Sequence, residues 1–217
     1  MINKLYYNTV NSLLLETLIK IMSAQEFEPF RLVGGTALSL QMGHRLSVDI
    51  DLFTDSEYGS VNFTAIDHFF KNNYPYVETN TISIIGIGKS YFIGSHKDNC
   101  IKIDLYYTDK FIEPSLVIDA IRFATVNEII AMKLDVILRG GRKKDFWDIH
   151  QIIANYRPDE IFALHKKRYP FQHDKVALRK KFLDFEFANR DFDPNCLNGK
   201  HWELIKLDLE DFIASMN

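Results

Sequence analysis

The chain has 217 residues, 47% of them hydrophobic and 25% charged, with a formal net charge of −3. These values exclude a disordered or fibrous chain and leave room for one catalytic domain with a helical extension. The weak charge also argues against a protein that grips nucleic acid by bulk electrostatics, which takes many Lys and Arg.

The apolar run Leu13 to Leu15 near the start is broken by Glu16 and Lys20 at helical spacing, and no small-residue cleavage site follows. It reads as an amphipathic helix and not as a signal. No stretch approaches the roughly 20 apolar residues of a spanning helix, which predicts a cytoplasmic protein that does not touch membranes. Cys100 and Cys196 have no close Cys or His companions, so they read as incidental thiols and not as zinc ligands.

Leu13, Leu14, Leu18, Ile21 and Met22 recur near a 3.6 period and predict a helix over about residues 7 to 23. Phe30 to Val33 is a short strand-like run that stops at Gly34-Gly35, and Thr36 to Met42 is rich in helix formers. Residues 47 to 53 alternate: Val48, Ile50 and Leu52 point one way, Asp49, Asp51 and Phe53 the other. Residues 63 to 73 read as a helix. Two strand-like runs follow, TISIIGI and SYFIG, with Gly88-Lys89 as the turn of a hairpin. Cys100 to Tyr107 alternates again and sets Lys102, Asp104 and Tyr106 opposite Ile101, Ile103 and Leu105.

From about residue 115 strand-like alternation gives way to helical periods, so the division expected is a core over 1–114 and a mainly helical lobe over 115–217. Thr125 and Glu128 have capping-box spacing ahead of Ile129, Ile130, Leu134, Ile137 and Leu138, with Gly140-Gly141 as the stop. Further helices are expected over 144–156, 159–168, 174–187 and 202–215, with a Pro/Asn/Gly-rich loop at 193–199. Basic residues gather at 139–144 and 165–181, either as a local basic surface or as solvated helix faces.

Asp49 and Asp51 lie two apart on one predicted strand, so their carboxylates share a face with Cα atoms about 7 Å apart. Such a pair can clamp a hard divalent cation, Mg²⁺ or Mn²⁺, which removes the repulsion between the two charges. The same pattern also occurs on solvated edge strands. Gly34-Gly35-Thr36 follows a strand and opens a helix, where backbone amides and a positive helix end suit a triphosphate and Thr36 can add a hydrogen bond; an ordinary tight turn is the plainer reading. Asp104, on the polar face of another strand, can complete a three-carboxylate set suited to two-metal phosphoryl transfer.

At these residues a resemblance emerges. VGGTALSLQMGHRLSVDIDLF (Val33 to Phe53) resembles the signature of the AbiEii/AbiGii toxin family, within the DNA polymerase beta-like nucleotidyltransferase superfamily. KLDVILRGGRKKDFWDI (Lys133 to Ile149) resembles the family's downstream Lys, Arg and Lys-Asp-X-X-Asp elements. The resemblance implies an α+β nucleotidyltransferase fold, a mixed sheet flanked by helices with a C-terminal helical lobe. It implies phosphate contacts at Gly34, Gly35 and Thr36, Mg²⁺ ligation by Asp49 and Asp51, and Asp104 as base or second-metal ligand. Lys133, Arg139, Lys144, Asp145 and Asp148 would steady the nucleotide or the acceptor.

Read from the residues alone, Lys133 interrupts an apolar helical pattern and needs either to snorkel or to find an anion, for which a phosphate is suitable. Lys144, Asp145 and Asp148 fit a solvated helix start as well. His44 and Arg45 either touch nucleotide or close their loop on a carboxylate. Trp147 is expected in the core, and His165, His173 and His201 lack metal-ligand spacing. By resemblance, the chain transfers an NMP from an NTP to an acceptor, with tRNA or another RNA end as a plausible one. It would serve as the toxin of a type IV toxin-antitoxin or abortive-infection pair, opposed by a cognate antitoxin acting at the gene or protein level. The alternatives are a catalytically silent nucleotide- or partner-binding module, and transfer to a protein or small-molecule hydroxyl.

Overall fold

The computed structural model of the chain describes residues 4–79 and 87–216. After a 3-10 turn at Tyr7–Thr9 come α1 (Ser12–Met22), β1 (Arg31–Leu32), α2 (Gly34–Met42), β2 (Asp49–Thr54), α3 (Phe63–Asn73), β3 (Tyr76–Thr79), β4 (Gly88–His96) and β5 (Asn99–Tyr107). They are followed by β6 (Leu116–Ile118), β7 (Ile121–Phe123), α4 (Val126–Leu138), α5 (Lys143–Ile153), α6 (Pro158–Arg168), α7 (Lys175–Phe182), α8 (Glu186–Asn189) and α9 (Trp202–Ala214). Among the described residues no helix is long and apolar enough to cross a membrane.

The strands form one mixed seven-stranded sheet in the order β3-β4-β5-β2-β1-β7-β6. Its centre is the parallel pair β2 and β5, with β4 antiparallel on β5 and β1 antiparallel on β2. The alternation in β2 decides which face is dry: Ile50 and Leu52 are fully buried while Asp49, Asp51 and Phe53 stay partly exposed. The dry face packs against the apolar sides of α1, through Leu14, Leu18 and Ile21, and of α3, through Ile66 and Phe70. Phe70 meets Tyr91 of β4 with ring centroids 4.7 Å apart. Asn11 and Asn62 cap α1 and α3 by accepting from the N–H of Leu14 and Ala65.

The sheet does not end near residue 115. β6 and β7 form a hairpin, and β7 pairs in parallel with β1 through Leu32 and Phe123. Its two-residue turn is Asp119-Ala120, both at positive φ, a conformation usually signalled by Gly or Asn. Without that signal the sequence conceals the hairpin; Tyr7 donates its hydroxyl to the Asp119 carboxylate there. Arg122 of β7 then gathers the carbonyls of Met22, Phe27 and Phe30 and ties the hairpin to the segment leaving α1.

Other expectations change in detail. Gly88-Lys89 opens β4 and is not a hairpin turn, and the run 81–86 lies outside the described residues. Thr125 caps α4 by accepting from Glu128 N–H, but Glu128 does not return the bond. Its buried carboxylate accepts from the N–H groups of Ile112 and Glu113 and pairs with buried Arg168 of α6. The helix expected over 174–187 is two, α7 and α8. Trp147 lies in the core, stacked on Trp202. The helical half meets the sheet half where α4 and α5 pack on α2.

Candidate active site

β1 delivers the chain to Gly34, whose φ of +69° makes the bend into α2. Val33 N–H bonds to the Asp51 carbonyl at 2.9 Å, locking the bend to β2. A Cβ at Gly34 would collide with the Asp51 carboxylate, and one at Gly35 with the Arg45 guanidinium. Both glycines therefore permit close approach, and the helix start lies against the acidic strand.

Thr36 is fully buried. Its hydroxyl binds Ser47 at 2.8 Å and also the Asp49 backbone carbonyl. The hydroxyl expected to contact phosphate thus fixes the strand that carries Asp49.

Asp51 and Asp104 are register partners on β2 and β5, and Asp49 is the partner of Lys102. The structure thereby brings Asp49, Asp51 and Asp104 onto one face. Burial, reinforced by Asp104 and Asp49, pushes the Asp51 carboxyl up to about 6, against the pull of Lys133 and Lys144. Asp104 is held on both oxygens: Ser90 donates to Oδ1 at 2.6 Å and Lys102 to Oδ2 at 2.6 Å. Burial works to lower the Lys102 pKa, but the bond to Asp104 and the charges of Asp104, Asp49 and Asp51 outweigh it and raise it. The Lys144 ammonium stands 3.9 Å from Asp49 Oδ2, partly exposed.

Among the described residues no three acidic, histidine or cysteine side chains are already closed around a common point for an ion. The donor chemistry nonetheless fits a hard divalent cation. Asp49 and Asp51 offer oxygens on one face, and a cation would offset both the burial and the neighbouring carboxylates that raise the Asp51 pKa.

Lys133, expected to steady the nucleotide or the acceptor, is engaged by carboxylates. Its buried ammonium binds Asp145 at 2.6 Å and Asp148 at 2.8 Å, and these two carboxylates raise its pKa against the effect of burial. Asp148, expected to fit a solvated helix start as well, is fully buried. It takes a forked bond from Arg45, Nε to Oδ1 at 2.7 Å and Nη2 to Oδ2 at 2.9 Å, and a third from His44 Nε2 at 2.8 Å. Burial would raise the Asp148 pKa; Lys133 and Arg45 instead hold it well below the usual range. Asp145 also caps α5 by accepting from Arg142 N–H. His44 and Arg45 thus close their loop on a carboxylate, clamping the segment between α2 and β2 to α4 and α5.

Arg139 stands outside this cluster. It is largely exposed, pairs with Asp135 at 2.6 Å, and helps line a cavity of about 630 Å³ with Phe53, Tyr58, Tyr107 and Tyr169. Phe53 lies two residues beyond Asp51 on the same face, so this cavity adjoins the acidic row. Ser90 and Lys102 are the side chains the sequence reading did not assign. The alternation placed Lys102 beside Asp104, but Ser90 arrives from a strand whose register no local pattern fixes.

A mixed sheet with an acidic central pair beside a glycine-opened helix has the nucleotidyltransferase fold, and the protein is a nucleotidyltransferase. Residues 17–216 match the family described as nucleotidyl transferase AbiEii toxin of type IV toxin-antitoxin systems, and the chain belongs to that family. It is 31% identical over 181 residues to an uncharacterized protein of Aquifex aeolicus, covering 81% of this chain and 83% of that one. JHP933 from Helicobacter pylori shares the fold with a TM-score of 0.57 at 20% identity, over 93% of this chain and 88% of that one. MenT4, a nucleotidyltransferase toxin from Mycobacterium tuberculosis, superposes with a TM-score of 0.58 at 13% identity, over 92% and 80%.

Proposed function

We propose that this toxin-family enzyme moves a nucleoside monophosphate from an NTP to an acceptor hydroxyl, using a divalent cation held by Asp49 and Asp51. The observation that carries this reading is the pairing of Asp51 with Asp104 across adjacent parallel strands, directly over Gly34. Bound there, Mg²⁺ or Mn²⁺ would neutralise the triphosphate and the developing charge at the α-phosphorus. The first-turn amides of α2 and the Lys144 ammonium would hold phosphate oxygens. Asp104 would take the proton of the acceptor hydroxyl as its oxygen bonds to the α-phosphorus and the bond to pyrophosphate breaks; once Lys102 leaves Oδ2, it can also join the ligand set. Lys133, Asp145 and Asp148 would act on the site by positioning the segment from His44 to Asp49, while Arg139 and the aromatic cavity would receive the base or the acceptor.

The acceptor is read as an RNA end, with a protein or small-molecule hydroxyl as the other outcome. Purified protein, Mg²⁺ and each labelled NTP are incubated with total RNA or lysate, beside D49A/D51A. Label in an RNA band supports the reading, label in a protein band moves the acceptor, and equal labelling by the double variant defeats the site assignment. Growth arrest on expression, relieved in D49A/D51A and by a cognate antitoxin, tests the toxin role in cells.

A further inference from the structure

The acidic row carries a cation of its own. Lys102 lies on the same face of β5 as Asp104, two residues away, and its register partner on β2 is Asp49. Its ammonium binds Asp104 Oδ2 at 2.6 Å although over a third of the side chain is exposed. The other oxygen is also held. Ser90 has a single hydroxyl proton and donates it to Oδ1, so the Tyr106 hydroxyl, 2.8 Å from Ser90 Oγ, is the donor of that second bond. Tyr106, Ser90, Asp104 and Lys102 form one chain on one sheet face. Lys133 is bonded to Asp145 and Asp148 and Lys144 stands 3.9 Å from Asp49, so among these cations Lys102 is the one bonded directly to Asp104.

We propose that Lys102 is a positioning residue that acts as a tethered counter-cation for the carboxylate row, holding Asp104 in place and weakening cation binding until a nucleotide arrives. The inference rests on Asp49 and Asp51 being the metal ligands. A fixed positive charge beside three carboxylates lowers the field that attracts a divalent ion, and it covers the one Asp104 oxygen that Ser90 leaves. A triphosphate brings its own oxygens and charge, so metal and nucleotide together outweigh the lysine where metal alone does so weakly.

The test titrates Mn²⁺ into full-length, nucleotide-free protein by calorimetry or electron paramagnetic resonance. K102M is expected to bind Mn²⁺ on the order of threefold to tenfold more tightly than the wild type, the worth of one partly exposed charge pair. K102R should restore wild-type affinity. Circular dichroism confirms folding; because Lys102 is partly exposed, K102M is expected to fold. K102M binding Mn²⁺ no more tightly than wild type, or K102R behaving like K102M, overturns the proposal. D51N separates the two layers of the argument. If D51N retains wild-type Mn²⁺ affinity, the metal-site reading fails and takes the lysine with it. If D51N loses Mn²⁺ while K102M equals wild type, only the role of Lys102 falls.

Discussion

Gly34 lies against Asp51: the carboxylate of the second aspartate is too close to leave room for the first side-chain carbon of any other residue at position 34. The glycine also adopts φ +69°, so two separate penalties guard one position. G34A is expected to destabilise the protein by about 2–4 kcal/mol and to abolish transfer by pushing Asp51 aside. Gly59 provides the control, having φ +85° with nothing near its missing Cβ. G59A should cost only the backbone strain, about 1 kcal/mol, and leave activity intact. Urea unfolding of both variants, with a transfer assay, measures the difference.

Asp148 is the keystone of a buried charge cluster, with Arg45, His44 and Lys133 all donating to it. D148A would leave buried Arg45 without its carboxylate and Lys133 with Asp145 alone, and is expected to cost about 3–5 kcal/mol. R45K keeps the charge but loses the fork and should cost less. Denaturant melts rank the two.

The same aspartate sets a pH dependence. Its folded pKa is held well below the usual value by Lys133 and Arg45, so its stabilisation is fully present above the unfolded pKa of about 4. That contribution is lost as pH falls from about 4 through the lower folded pKa. The stability gap between wild type and D148N should therefore be constant from pH 5 to 7 and narrow in more acid solution. A gap unchanged down to pH 2 would contradict the assignment.

Cation occupancy should be visible in stability. A ligand bound only by the folded state raises the melting temperature with its concentration. Mg²⁺ with NTP is expected to stabilise the wild type by a few degrees and to have no such effect on D49A/D51A, with chelator reversing the shift. Differential scanning fluorimetry reads this directly.

Arg139 lies at the rim of the aromatic cavity and makes one exposed pair with Asp135. R139A should leave the unfolding midpoint unchanged within error while raising the apparent KM for NTP or acceptor severalfold. A loss of stability with unchanged kinetics would make the residue structural instead.

Much of this architecture was legible in the chain itself because it depends on local periodicity. The alternation Asp49-Ile50-Asp51-Leu52 fixes which side chains share a face wherever the strand is placed, and the helix read over residues 63 to 73 is α3. The hairpin at Asp119-Ala120 escaped because its positive φ values occur in residues that seldom adopt them, sustained by contacts such as the one from Tyr7. The partners of Lys133 escaped for a related reason. A lysine in an apolar stretch announces that it needs an anion, but which anion depends on how α4 meets α5, and here it is Asp145 and Asp148. Sequence thus determined the residue types and their faces, through spacing along single elements. Only the tertiary structure decided the pairings: the register of β2 on β5 set Asp51 beside Asp104, and strand and helix packing gave Lys102, Ser90 and Arg45 their carboxylates. Hydrogen bonds and ion pairs act over a few ångströms in space, and distance along the chain does not report that separation.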